Sequence, residues 1–303
     1  MKFEGIYTPA ITPLTPDGHI DNSAFAEVLE SLIAAKVHGI VIGGSTGEYY
    51  AHTAQERFDL AALAKRVIGT RVPLVIGTGA VRTEDSVEYA KAAKAIKADA
   101  ILVGSPPYAL PTEQENAVHA LTVDKAADLP VMLYNYPGRM SVSMGRAFFN
   151  TVSAASKNFV AIKESSGQTG QLHMLVTEFP NIDVSCGWDD QALEFFAWGA
   201  RSWVCAGSNF IPREHVALYE ACVVEKNFDK GRRIMAALLP LMDFLEGGKF
   251  VQSIKHGCEV AGLRAGGVRA PLQPLDAAEK QTLQGIITKL KADVAAVVEG
   301  RAQ

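Results

Sequence analysis

Residues 159–164 read Phe-Val-Ala-Ile-Lys-Glu: four apolar side chains, then a lysine, with no turn residue between them. An unbroken apolar run of this length is how a strand buried on both faces of a parallel sheet reads. The run centred on Val160–Lys163 has seven counterparts, at 6–11, 39–42, 74–77, 100–103, 131–134, 182–186 and 203–206. The segments between them carry a helical period. Residues 21–36 set Phe25, Val28, Leu29 and Leu32 on one stripe. Thr53-Ala-Gln-Glu56 and Thr112-Glu-Gln-Glu115 have the spacing of capping boxes, in which hydroxyl and carboxylate satisfy free helix amides. Each follows a strand run, where a βα-loop hands over to its helix. Further helices are predicted over 83–97, 143–156, 168–178, 189–198 and 212–225.

Eight strand–helix alternations with no Gly/Ser linker predict an α/β fold closed as a (β/α)8 (TIM) barrel over residues 1–225. A doubly wound open sheet is the other arrangement of such units, but no GxGxxG follows the first run. Helical stretches at 228–262 and 276–299 exceed what a barrel needs and predict additional C-terminal helices over 226–303, as a subdomain or oligomer surface.

Composition narrows the class. The chain has 303 residues, 48% hydrophobic and 20% charged, the balance of a globular protein. Its net charge is −4 and its basic residues are scattered, so neither nucleic acid nor a membrane surface is expected as a partner. The N-terminus has no basic start with an apolar segment behind it, and no run of 18 apolar residues occurs. Cys186, Cys205, Cys222 and Cys258 are far apart and form no CxxC, as expected of buried reduced thiols in a cytoplasmic protein. The seven histidines form no HxH or HExxH, and neither a metal nor another cofactor is expected.

Active sites of such barrels lie at the C-terminal ends of the strands. Those ends read Gly43-Gly-Ser-Thr-Gly-Glu48, Gly104-Ser-Pro-Pro-Tyr108, Tyr134-Asn-Tyr-Pro-Gly-Arg139, Lys163-Glu-Ser-Ser and Gly187-Trp-Asp-Asp190. Lys163 is the sharpest feature. A strand-end lysine can snorkel to water or pair with its neighbour Glu164. Desolvated among hydroxyls, however, it has a lowered pKa and becomes an amine nucleophile toward a ketone. Tyr134 and Tyr108 are packing aromatics or proton shuttles for that attack. Gly44, Ser45 and Thr46 form either a plain tight loop or a seat of hydroxyls and amides for a carboxylate. Arg139 is a surface charge or a fork for a substrate carboxylate.

The order GSTGE, PPY, YNYPGR and strand-end IKES resembles the dihydrodipicolinate synthase / N-acetylneuraminate lyase family, over about residues 5–275. The resemblance implies that Lys163 forms a Schiff base with a small 2-keto acid and that Tyr134 shuttles protons to it. Ser45 then stands where synthases usually carry the threonine that relays protons between tyrosines. Thr46 and the neighbouring amides hold the keto-acid carboxylate, and Arg139 meets the carboxylate of a second substrate. The backbone carbonyl of Val204 faces the ligand. Tyr108 reaches into a neighbour's site in a homotetramer built as a dimer of dimers.

Three departures bear on substrate. Synthases of the family usually read GTTGE, PYYN and a late Asn-Pro. Here Ser45 replaces the first threonine, Ala109 follows Tyr108, and Phe250-Val251 occupies the Asn-Pro place. Trp188 also interrupts a simple Gly-Asp-Asp pattern. They leave the lysine chemistry alone and suggest a catabolic paralogue, such as a 1-pyrroline-4-hydroxy-2-carboxylate deaminase. The alternatives are condensation of pyruvate with aspartate semialdehyde, an N-acetylneuraminate or 2-keto-3-deoxy sugar acid aldolase, and an inactive binding barrel. A phosphate-binding barrel would need a glycine-rich grip late in the chain, for which only Gly207-Ser-Asn offers itself.

Overall fold

Each apolar run becomes a strand, and each strand pairs in parallel with the next until the eighth closes on the first. The computed structural model describes residues 1–301. The strands are β1 (Gly5–Pro9), β2 (Gly39–Ile42), β3 (Leu74–Gly77), β4 (Ala100–Gly104), β5 (Val131–Asn135), β6 (Phe159–Glu164), β7 (Asp183–Cys186) and β8 (Ser202–Val204). The helices around them are α1 (Asn22–Ala34), α2 (Ala54–Ile68), α3 (Thr83–Ala95), α4 (Glu113–Ala127), the one-turn α5 (Pro137–Met140), α6 (Arg146–Ala155), α7 (Thr169–Glu178), α8 (Ala192–Ala197) and α9 (Pro212–Tyr219). Then come α10 (Phe228–Glu246), α11 (Phe250–Val260) and α12 (Ala277–Val298). Both expected capping boxes form, at Thr53/Glu56 and Thr112/Glu115, and a third closes α12 at Asp276/Glu279.

Strand parity divides the core in two. Alternate residues of a strand face opposite sides. Tyr7, Val41, Val75, Leu102, Met132, Tyr134, Ala161 and Val204 therefore fill the barrel interior. Ile6, Ile40, Leu74, Ile101, Leu133, Ile162 and Trp203 face outward against the helices. That outer cluster continues through Leu238, Leu241, Ile254, Leu283 and Leu290, so α10, α11 and α12 share it with the barrel.

Among the boundaries that shift, three do so for a clear local reason. The 6–11 run stops pairing at Pro9, because the Asn209 side chain takes over the Pro9 carbonyl (2.9 Å) and the Ile11 amide (3.1 Å). The 203–206 run keeps only its first two residues in β8, because Ala206 leads into a tight turn at Gly207–Asn209. The 228–262 stretch is two helices. Gly248 (φ +119°) and Lys249 (φ +50°) are left-handed, and a right-handed helix cannot pass through them. Among the described residues no helix is long and apolar enough to cross a membrane.

Candidate active site

Lys163 shares its strand face with Ala161, so parity aims it into the barrel, at the C-terminal end where side chains give way to a cavity. Its cross-strand neighbours are Tyr134 on β5 and Ser185 on β7. The amine lies 4.4 Å from the centre of the Tyr134 ring. Protein atoms surround the side chain, yet it keeps a partial opening to the pocket above. Glu164 does not pair with it. One residue on, Glu164 points outward, accepting from the Asn135 amide (2.7 Å) and the Ser166 backbone (2.6 Å). Among the described residues the amine has neither ion pair nor hydrogen bond. Burial pushes it below the ordinary lysine value, and Asp189 is the foremost charge opposing that.

Room for this side chain depends on Gly187 at the end of β7. A Cβ there would lie 2.6 Å from Lys163 Cγ and 2.2 Å from Ser165 Oγ, closer than atoms can approach. Beside the lysine, burial pushes the Tyr134 phenol up to about 12, and the hydroxyls of Ser45 and Ser165 act to lower it. Tyr134 is therefore a neutral phenol at physiological pH, able both to donate and to accept. Asp189, just past β7, is pushed up to about 7 by burial, although the Trp203 indole donates to it at 2.8 Å.

Three further segments contribute walls. Ser45–Gly47 make one tight turn after β2, in which Gly47 and Glu48 amides return to the Gly44 and Ser45 carbonyls (both 3.1 Å). That geometry leaves the Ser45 and Thr46 amides to find another acceptor. Arg139 sits on α5 at the rim, its guanidinium 5.4 Å from the Tyr136 ring and 5.9 Å from the Phe250 ring, within cation–π range. Val204 ends β8 and lines the pocket beside β7. The space enclosed is about 420 Å³.

One pocket thus gathers Lys163, Tyr134, Ser45, Thr46, Arg139 and Val204. Gly44 lies behind Ser45, lining a small adjoining cavity with Tyr49 and Tyr134. Tyr108 stands outside, 93% exposed, with a left-handed backbone (φ +72°). Asp189, Tyr136, Trp188, Glu246 and Phe250 also line the pocket; sequence reasoning marked Trp188 and Phe250 only as departures bearing on substrate and gave the other three no role there. The position of Asp189 directly after a strand was a usable signal. Glu246 and Phe250 belong to the C-terminal helices, and nothing local betrays that these bend back over the barrel mouth. A larger crevice, about 1090 Å³, opens beside α11 and the 264–275 segment, but it contains neither Lys163 nor Tyr134. Among the described residues no group of three or more His, Cys, Asp or Glu is placed to hold a metal ion.

Comparison with known proteins bears on the family and the fold. The model of the dihydrodipicolinate synthetase family matches residues 2–290. A 4-hydroxy-tetrahydrodipicolinate synthase of Exiguobacterium sibiricum is 35% identical over 271 residues, 89% of this chain and 92% of that protein. The synthase of Bacillus subtilis is 30% identical over 296 residues, covering 96% and 100%. Among solved structures, the synthase of Methylacidiphilum fumariolicum SolV superposes with a TM-score of 0.93 at 29% identity, covering 98% of this chain and 99% of that one. A prophage protein of Escherichia coli K12 from the dihydrodipicolinic acid synthase family, solved in complex with pyruvate, superposes at 0.90 with 29% identity, covering 96% and 99%.

Proposed function

Because the chain belongs to the dihydrodipicolinate synthetase family, and is accordingly a Schiff-base lyase, we propose that it binds pyruvate or another short 2-keto acid as an imine on Lys163 and adds the derived enamine to a carboxylate-bearing aldehyde. The observation that carries this reading is the unpaired, desolvated Lys163 amine over the Tyr134 ring at the floor of a pocket.

The chemistry follows from the residues around the amine. Neutral Nζ attacks C2 of the keto acid, whose carboxylate is held by the Thr46 turn. The carbinolamine loses water to an iminium, and Tyr134 moves the protons, with Ser45 relaying them. The iminium draws electrons from C3, which loses a proton to give an enamine. Enamine C3 attacks the aldehyde carbon, and the new alkoxide takes a proton. Water then releases the product from Lys163. Val204 offers its carbonyl to the ligand, and Arg139 receives the second reactant's carboxylate in a two-pronged contact. Tyr108 stands away from its own pocket, and its proposed place is the site of a neighbouring copy in a cytoplasmic homotetramer.

A second reading, in which a hydroxylated cyclic imine acid eliminates its hydroxyl as water and its ring nitrogen is then released as ammonia by hydrolysis, with net uptake of one water, is favoured by the aromatic wall of Trp188 and Phe250 and by Ser45. Intact mass after borohydride reduction with pyruvate tests the common step, because reduction freezes the imine as an amine. The expected result is one adduct, mapped to Lys163. Its absence defeats the imine reading. Turnover of aspartate semialdehyde with pyruvate, or of 1-pyrroline-4-hydroxy-2-carboxylate alone, then separates the two net reactions.

A further inference from the structure

The turn that presents Ser45 and Thr46 to the pocket is held from behind. Both residues line the pocket, and Glu48, three positions after Ser45, does not. Glu48 is 1% exposed and has a left-handed backbone (φ +56°, ψ +35°), which a residue with a Cβ disfavours. Its side chain compensates. One carboxylate oxygen lies 2.6 Å from the Lys255 ammonium on α11, and the other accepts from the Arg269 backbone amide at 3.3 Å. Lys255 in turn donates to the Gly267 carbonyl at 2.5 Å.

The neighbouring contacts leave the turn little freedom. The Thr12 hydroxyl donates to the Gly47 carbonyl at 2.9 Å, and a Cβ on Gly47 would lie 2.9 Å from the Ala10 carbonyl oxygen. The Arg269 guanidinium donates to the Ala51 carbonyl at 2.7 Å and to Glu56 at 2.9 Å. A single helical turn is not stable by itself in water, so the geometry of residues 45–47 must come from such outside contacts.

From this we infer that Glu48, fixed by Lys255, is a positioning residue for the keto acid: it sets the direction of the Ser45 and Thr46 groups, and through it α11 and the 264–275 segment take part in binding without lining that wall. The inference rests on the imine reading above, in which the keto acid's carboxylate is taken at the Thr46 turn. A buried ion pair is a poor way merely to fasten a helix, since an apolar pair of similar size holds as well. What the apolar pair lacks is direction. It can restore folding, but it does not aim the amides that precede it.

The test titrates pyruvate in the borohydride trapping of the full-length wild type, of Glu48→Gln and of the double variant Glu48→Leu/Lys255→Met. Acetone, a ketone with no carboxylate, is trapped beside it, and urea unfolding reports the stability of each protein. In both variants the pyruvate needed for half-maximal trapping is expected to rise by about 10-fold or more, the scale of one charge-assisted hydrogen bond. The limiting rate at saturating pyruvate and the trapping of acetone should change far less. The double variant should keep this defect although its folding stability recovers. Should one variant fail to fold, the other decides. Half-saturation at the wild-type level in a folded variant, or a loss of acetone trapping as large as the loss with pyruvate, overturns the inference while leaving the wild-type adduct standing. Failure to trap pyruvate in the wild type overturns the imine reading and this inference with it.

Discussion

Lys163 and Lys255 are both taken out of water, and the protein treats them in opposite ways. Lys255 is 2% exposed, lies 2.6 Å from a Glu48 oxygen and donates to the Gly267 carbonyl at 2.5 Å. Burial pushes it down from the ordinary lysine value, and Glu48 pulls it back. Lys163 is pushed in the same direction, with no partner in contact. The carboxylate that opposes the shift, Asp189, is itself pushed up to about 7 and so is only partly charged at neutral pH. A buried charge with a close counter-ion joins two pieces of structure, here the turn after β2 and α11. On the proposed reading, a buried amine without one is kept ready for a bond to the keto acid.

If that distinction is right, substitutions at the two lysines should separate activity from stability. The largest effect is expected at Lys163. Lys163→Ala should abolish turnover and the borohydride adduct while keeping the circular dichroism spectrum and a melting temperature at or above the wild type, since an uncompensated amine is removed. Normal turnover in this variant breaks the comparison outright. Next comes Tyr134→Phe, which keeps the ring under the amine but removes the shuttle hydroxyl. Turnover should fall by about 10²- to 10⁴-fold, with pyruvate still able to bind. An unchanged rate removes Tyr134 from the proton path. At Lys255 the loss should appear in folding. Lys255→Met leaves Glu48 buried without its counter-ion and should cost about 3–5 kcal/mol in urea unfolding. Glu48→Leu combined with Lys255→Met should recover much of that. If the double variant is no better than the single one, the two residues do not act as a pair.

The two lysines also mark how far the sequence could be read. The place of Lys163 at a strand end was legible because its strand is an uninterrupted apolar run, and it stood out from an ordinary strand-end lysine by the hydroxyls and tyrosines at the neighbouring strand ends. The eight strands were legible for the same reason, since a parallel strand covered on both faces has no polar positions to obscure it. Their ends were less so, because side chains distant in sequence, such as Asn209 at Pro9 and Ile11, decide where ladder bonding stops. Lys255 lay inside an ordinary amphipathic pattern. Its partner is 207 positions away, and only the packing of α11 against the Ser45–Gly47 turn reveals it. Glu246 was hidden similarly, behind a helix break that reads as a pair of glycines and a lysine in a continuous helical period. Tyr108 shows a different limit. Tyr108 is exposed on a left-handed backbone, and the role proposed for it needs a second copy of the chain, which one chain's sequence does not describe.

The smallest effect belongs to Asp189, and it sharpens the account of why Lys163 is reactive. Only the neutral amine attacks a ketone, so pyruvate trapping should rise with pH and level off below the range of an ordinary lysine, because burial lowers Lys163. Ionised Asp189 favours the protonated amine and so acts against that shift. Asp189→Asn removes the charge, while the amide oxygen can still accept from the Trp203 indole. The trapping curve of the variant should therefore move to lower pH. Since Asp189 ionises only around pH 7, the wild type and the variant should converge well below that and separate above it. Rates of reductive trapping measured from pH 5 to 9 give both curves. A shift to higher pH, or the same displacement at every pH, shows that the Asp189 carboxylate does not act on the Lys163 amine.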